Sequence, residues 1–368
     1  MTVPVDASTL APLLGRFMGD SGLDVASVRT SPLRRGTSGS HLSRVVVRVS
    51  GRTDPVRLVL KLDRPGELNE VRFYAHLAGR LPVATPRVVA AHELDDGRGW
   101  LLMEELPTAK PARAWTADDV RAVVRDMATL HAAHWGDPRL ADELPWLGRP
   151  DAASLDAEAA ALHTSLAVIE AAGLPDLLPE LIAASRLRRI ARVLDRSREL
   201  LGPLLAAGTT VVHGDYWVHN VQLLPDGRRV LLDWQGCRLF SGLWEIVYFL
   251  DLWHVLGRRS FRERDPAAEA GIVAVYSEAL RERGVALGGS ELGEALACAR
   301  LWHPLAHWLP RYGRLADRAL HLPAWRVARR APAAARLLAR AVASRGALRF
   351  LAATWARFEQ EADRRFPA

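Results

Sequence analysis

Short runs rich in β-branched residues punctuate the first third of the chain, at residues 45–49, 56–61, 86–91 and 100–103, each bounded by Gly, Pro or Asp. That pattern predicts strands. One helix over about 67–78 interrupts them, just after Pro65-Gly66. From Thr116 the period lengthens: Val120, Val123, Val124, Met127, Leu130 and His131 recur at helical spacing, with Thr116 and Asp119 placed as an N-terminal cap. Helical segments are expected over about 153–172 and 178–201. A β-rich island follows at 210–212, 221–224 and 229–232, where Pro225-Asp226-Gly227 turns the last two runs into a hairpin. From about 242 to the end the spacing predicts helices, one of them starting at Pro304. The expected organisation is a small β-rich lobe, 1–105, a hinge at Glu105-Leu106-Pro107, and a larger helical lobe, 106–368.

Composition narrows the function classes. With 368 residues, 49% hydrophobic and 25% charged, the chain has the makeup of a globular protein with a full core. No stretch approaches the roughly 20 apolar residues of a membrane span, and the N-terminus lacks a charged leader and an apolar run, so no secretory signal is expected. Cys237 and Cys298 are the two cysteines, too few for a disulfide framework or a four-thiolate zinc site. A soluble, cytoplasmic protein is expected. The net charge of +7 invites a nucleic-acid reading, but the basic residues are scattered pairs such as Arg34-Arg35, Arg188-Arg189 and Arg329-Arg330, without the dense blocks of a nucleic-acid arm. Only Lys61 and Lys110 are lysines among 49 basic residues. A lysine kept in so arginine-rich a chain points to chemistry that a guanidinium does not perform.

The chemistry concentrates in His213-Gly214-Asp215-Tyr216-Trp217-Val218-His219-Asn220 and Leu232-Asp233-Trp234-Gln235. An Asp, an Asn five residues later, and a second Asp beyond a tight hairpin form the set that phosphoryl transfer from a nucleotide needs. The first Asp orients the acceptor hydroxyl, while the Asn and later Asp hold Mg²⁺. The hairpin folds Asp233 back beside Asn220. Alone, the same string also reads as an Asx-rich turn beside a hairpin.

Upstream features stand in the required order. Lys61 ends an apolar strand, placed to reach nucleotide phosphates, and Glu70 follows on the next helix as its partner, with Glu67 a rival one turn earlier. Arg34-Arg35-Gly36-Thr37-Ser38-Gly39-Ser40-His41 lies between two strands, where Gly36, Ser38, Gly39 and Ser40 would let backbone amides approach phosphates. Met103-Glu104-Glu105-Leu106-Pro107 sits where a hinge offers backbone groups to a purine, with Glu104 and Leu106 as the candidates. Trp253, His254, Trp302, His303, His307 and Trp308 are candidates for an aromatic acceptor pocket, or equally for core packing.

Together these motifs resemble the aminoglycoside phosphotransferase and choline kinase superfamily over about residues 28–255, closest to its ecdysteroid-kinase-like and related bacterial branches. The resemblance implies a bilobal, protein-kinase-like α+β fold and a Mg²⁺-dependent small-molecule kinase using ATP or GTP. Lys61 and Glu70 would form the phosphate-anchoring pair, Asp215 the catalytic base, and Asn220 and Asp233 the metal ligands. His213 would support the catalytic loop. Against protein kinases, Gly214 and Trp234-Gln235 replace an Arg and a Phe-Gly, which disfavours a protein substrate. Against the family, Glu245 stands where Asp is usual. The expected acceptor is a sugar, nucleoside or antibiotic hydroxyl, so an antibiotic-inactivating role is among the expectations. A nucleotide-binding pseudokinase is the alternative, and neither a nucleic acid nor a membrane is an expected partner. From Phe240 to the end there are 20 Arg against 13 Asp and Glu, which predicts a neutral or anionic acceptor.

Overall fold

The computed structural model describes residues 6–33, 40–177, 182–257, 260–261, 264–321 and 345–367. The chain divides into two compact units. The first is Met1–Ala114 with His213–Asp215 and His219–Cys237; the second is Trp115–Val212 with Tyr216–Val218 and Arg238–Ala368.

The first unit is built on five antiparallel strands, β1 (Val25–Pro32), β2 (His41–Val49), β3 (Val56–Leu62), β4 (Val88–Glu93) and β5 (Gly99–Glu104), in the order β1-β2-β3-β5-β4. Alternation along the strands explains how its faces are used. Val45, Val47, Leu58 and Leu60 pack against Leu10 and Leu14 of helix α1 (Ala7–Met18). The opposite face, including Val59 and Leu101, packs with Val71 of α2 (Asn69–His76). Each fully buried Leu or Val contributes about 1.5–3 kcal/mol. Since Leu58 and Leu60 face α1, Val59 and Lys61 must face α2. That single parity sets the position of the lysine. Gly99 permits the close approach of α2, because a Cβ there would lie 2.5 Å from Val71 Cγ2. Both α1 and β1 go beyond the sequence expectation. β1 is an edge strand that is mostly solvent-exposed after Val25, so it lacks an apolar signal.

The second unit is mainly helical. Its longer described helices are α3 (Ala117–Ala132), α4 (Ala152–Ala171), α5 (Ala184–Asp195), α6 (Ser197–Ala206), α7 (Gly242–Leu252), α8 (Pro266–Arg281), α9 (Gly289–Leu320) and α10 (Arg345–Arg365). Thr116 caps α3 as expected: Asp119 N–H donates to Thr116 Oγ1 at 3.2 Å, and Thr116 N–H donates back to Asp119 Oδ2 at 2.6 Å. One strand goes beyond the sequence expectation, and two expectations are corrected here. Arg238–Ser241 is a strand that pairs with Thr209–Val212. Val255–Gly257 and Ser260–Phe261 form a small hairpin inside the region expected to be wholly helical. Pro304 does not start a helix but lies within α9, as does Pro310. Leu301, Trp302, His303 and Leu305 around it are all buried, and that packing offsets the roughly 3 kcal/mol cost of an interior proline. Among the described residues no helix is long and apolar enough to cross a membrane.

Buried charge knits this unit together. Glu269 accepts hydrogen bonds from His254 Nε2, Arg264 Nη1 and Arg357 Nη1, each at 3.1 Å. Burial alone would raise its pKa, but the His254 hydrogen bond and the Arg357 and Arg264 charges prevail and hold it down at about 2. The folded value lies below the usual 4.5, so this stabilisation is complete above about pH 4.5 and is lost as pH falls through about 2. Glu269→Gln is expected to cost about 3 kcal/mol near neutral pH and to flatten the acid limb between those values. Urea unfolding across pH 2–7 checks this; an unchanged acid limb would refute the pairing.

Candidate active site

Lys61 leaves β3 on the α2 face and enters a ring of carboxylates. Its Nζ pairs with Glu70 of α2, lies 2.9 Å from Asp233 Oδ1 and 3.9 Å from Asp63 Oδ1. The lysine, Glu70 and Asp63 are buried, while the Asp233 side chain keeps 28% exposure. Of the two candidate carboxylates, Glu70 on α2 meets the lysine, whereas Glu67 precedes the helix, which starts at Asn69 and not at about 67. Burial disfavours the Lys61 ammonium, but Glu70, Asp233 and Asp63 outweigh it and hold its pKa above the usual lysine value. The same burial, with Asp233 and Asp63 nearby, pushes Glu70 up to about 7 against the pull of Lys61. Lys61 is therefore a fixed cation whose surroundings carry more negative charge than it can neutralise.

Asp63 was not among the residues expected. Its signal is its spacing: two positions after Lys61, it shares that strand face. Ser40 Oγ donates to Asp63 Oδ1 at 3.1 Å, and Asp63 Oδ2 is buried with no hydrogen-bond partner among the described residues. Burial raises the Asp63 pKa, opposed by Lys61 and Ser40. Gly36, Ser38 and Gly39 lie outside the described residues.

The segment Val221–Leu223 and Arg229–Leu231 form the expected hairpin, and it carries Asp233 back toward Lys61. Asp233 has φ 64° and ψ 65°, the left-handed region, and is alone in positive φ among the described non-glycine residues. Asp tolerates that conformation better than most side chains, and such strain clusters at functional sites. Behind it, Trp234 is fully buried, stacks on Phe73 at 3.8 Å between ring centroids, and donates its indole N–H to Leu231 O at 3.1 Å. Its backbone N–H donates to Glu70 Oε1 at 3.4 Å. One residue thus couples the Asp233 backbone to the helix that holds Glu70.

The loop from His213 is fixed with equal economy. Asp215 N–H donates to His213 Nδ1 at 3.2 Å, so His213 Nε2 carries the proton and donates to Leu232 O at 2.8 Å. Asn220 Nδ2 donates to Asp215 O at 2.8 Å and to Asp215 Oδ2 at 2.9 Å. Asn220 O accepts from Leu232 N–H at 2.8 Å. His213, Asp215, Asn220 and Leu232, the residue before Asp233, are therefore one hydrogen-bonded assembly across the hairpin. At the expected purine edge, the N–H of Glu104 is paired to Arg87 O and its Oε1 to Arg87 N–H. Leu106 is half-buried in an irregular segment.

In the second unit, Glu245 is fully buried and bonds His131 Nε2 at 2.9 Å, while His131 Nδ1 meets Tyr276 Oη at 2.6 Å. Of the aromatic candidates, Trp302 is fully buried in the core, and His303 and Trp308 hydrogen-bond Asp251. His254 is held by Glu269, His307 is buried against Tyr248, and Trp253 stacks on Phe249.

A family model described as "Phosphotransferase enzyme family" matches residues 33–284. Two solved structures share the fold. A choline kinase from Cryptosporidium parvum Iowa II superposes with a TM-score of 0.53 at 11% identity, covering 92% of this chain and 89% of that chain. An aminoglycoside phosphotransferase from Alicyclobacillus acidocaldarius does so at 0.51 and 14%, covering 92% and 94%. These likenesses establish the kinase-like α+β fold that the motifs predict. A search of curated proteins finds no match.

Gly214 has φ 79°, and a Cβ on it would lie 2.0 Å from Gly236 O. Here two backbones touch, which accounts for the Gly without reference to substrate. Gly214→Ala is expected to destabilise the protein by about 3 kcal/mol or more, read by chemical denaturation. A loss below about 0.5 kcal/mol would show that the two loops do not pack this way.

Proposed function

Because the chain belongs to the phosphotransferase enzyme family, we propose that it transfers the γ-phosphate of ATP or GTP to a hydroxyl of a small molecule. The observation that carries this reading is Lys61 joined to Glu70 and Asp233 across 172 residues of sequence, beside the linked pair Asp215 and Asn220. In the reaction, Asp215 accepts the proton of the acceptor hydroxyl as its oxygen bonds to the γ-phosphorus, the bond from that phosphorus to the β-γ bridging oxygen breaks, and the nucleoside diphosphate leaves. Lys61 holds the α- and β-phosphates, with Glu70 fixing the direction of the ammonium. His213 positions the loop and does not touch the reacting atoms. Ser40, with Gly36, Ser38 and Gly39, cradles phosphate through backbone amides, and the Glu104–Leu106 segment borders the base.

Asn220 and Asp233 fit Mg²⁺. Once the Asn220 amide nitrogen is committed to Asp215, its side chain presents an oxygen, and Asp233 supplies a second hard oxygen. Mg²⁺ is commonly held by one or two such ligands plus substrate phosphates. Among the described residues no three His, Cys, Asp or Glu side chains gather as a metal cluster. When bound, the ion supplies neutralisation of charge on the phosphoryl oxygens.

The acceptor we propose is neutral or anionic, such as a sugar, a nucleoside or an antibiotic built from them. The support is the Arg excess after Phe240, which disfavours a polycation.

Asp215→Asn is expected to lower kcat by roughly 10²-fold or more while nucleotide affinity stays near wild type. Asp233→Ala should abolish Mg²⁺-dependent nucleotide binding in calorimetry, and Lys61→Arg should not restore activity lost in Lys61→Ala. A phosphate-transfer screen with ATP and GTP, read by mass gain of the acceptor, tests the activity itself. Near-full turnover in Asp215→Asn would remove the base assignment. Efficient phosphorylation of kanamycin-like polyamines, with neutral sugars and nucleosides inert, would overturn the acceptor class.

A further inference from the structure

The helical unit contains a cavity of about 180 Å³ whose charged wall is formed by Asp251, Arg264, Arg300, His303, Arg357 and Glu361. That volume is roughly the share of six liquid waters, enough for a compact organic acid or a phosphate group.

The carboxylates of this wall are already committed. Asp251 is buried and accepts from Arg264 Nη2, from His303 Nε2 at 3.0 Å, from Trp308 Nε1 at 3.2 Å and from Thr354 Oγ1 at 3.3 Å. Burial alone would raise its pKa, yet His303 and Arg264, with the Trp308 hydrogen bond, hold it well below the carboxylate range. Glu361 pairs with Arg364. Arg264 and Arg357 both bond Glu269, which lies behind the wall.

One buried donor is left over: Arg264 Nε–H has no hydrogen-bond partner among the described residues. His303, only 1% exposed, donates from Nε2 to Asp251, and its Nδ1 is buried without a partner among them. Arg300 reaches solvent and has no hydrogen bond or ion pair with a described residue. Packing against the wall and the like charge of Arg357 depress its pKa below the ordinary arginine value, although Glu269 and Glu361 pull the other way. Three guanidinium groups and two carboxylates line one cavity. Glu269 behind the wall pairs with Arg264 and Arg357, which leaves Arg300 as the guanidinium of this wall with no ion pair to a described residue. An oxyanion would meet the guanidinium fork of Arg300, the geometry that recognises carboxylate and phosphate.

We propose that this cavity binds a small molecule through a carboxylate or phosphate group, with Arg300 as the principal donor and Arg264 and Arg357 on the same wall. The proposal is independent of phosphoryl transfer at Lys61 and Asp215.

Calorimetry on the full chain at constant ionic strength tests it, with inorganic phosphate and succinate titrated separately. Each titration is run on the wild type, on the wild type with excess Mg–ADP, and on Arg300→Gln. At least one anion should bind saturably, and the one that does identifies the chemistry. Its affinity should stay within about twofold when Mg–ADP is present and fall about tenfold in Arg300→Gln, the scale of one charge-assisted hydrogen bond. Arg300 reaches solvent, so the variant should fold, which circular dichroism and thermal unfolding confirm. Binding of neither anion would overturn the proposal. So would displacement by Mg–ADP, which places the anion at the nucleotide site, or indifference to Arg300→Gln. If Mg–ADP itself does not bind, only the phosphotransfer reading fails, and the Arg300 comparison still decides this one.

Discussion

The first unit is organised around a buried ammonium that cannot be left alone. An unpaired charge in a protein interior costs several kcal/mol, so Lys61 requires Glu70, Asp233 and Asp63 around it. Those three arrive from a helix, from a turn beyond a distant hairpin, and from the end of the same strand. Each must be delivered by packing. Gly99 lets α2 approach the sheet, the Phe73–Trp234 stack holds the turn to α2, and the left-handed backbone of Asp233 aims its carboxylate inward. Three carboxylates around one lysine leave an excess of negative charge. A site of that kind is completed by added positive charge.

The loop carrying Asp215 is held by a different economy, with backbone and amide groups in place of charge. His213 accepts from one loop and donates to the next strand end, which fixes its tautomer. Asn220 spends its amide donors on Asp215, and Gly214 and Gly236 bring two backbones into contact. None of these links requires a buried charge. The Asp215 carboxylate and backbone are thus held by the Asn220 amide.

In the helical unit the buried carboxylates Asp251 and Glu269 are each shared among several donors, from Arg, His, Trp or Thr. The network around Asp251 and Glu269 ties α7, α8, α9 and α10 to one another. It also anchors α9 near its interior prolines, where helix hydrogen bonding is weakest. What remains after the carboxylates are shared is arginine.

How much of this was written in the chain depends on the range of the interaction. Strand parity, the α3 cap and the 221–232 hairpin are local, and they follow from alternation, from Thr116 with Asp119, and from Pro225-Asp226-Gly227. The pairing of Lys61 with Glu70 was anticipated from their order, and Asp215, Asn220 and Asp233 stand in the order that the proposed chemistry requires. Glu70 was the expected partner of Lys61, and its rival Glu67 is removed by the helix start, since α2 begins only at Asn69. Edge strand β1 and the pairing of Arg238–Ser241 escaped because their stability comes from partners far along the chain. The helix through Pro304 escaped for the converse reason: a local rule against proline was overridden by burial of its neighbours. The sequence by itself determined which residues are chemically competent and the secondary structure that carries them. Only the tertiary structure decided which charges are buried together, because desolvation and Coulomb energy depend on distances that no spacing in sequence specifies.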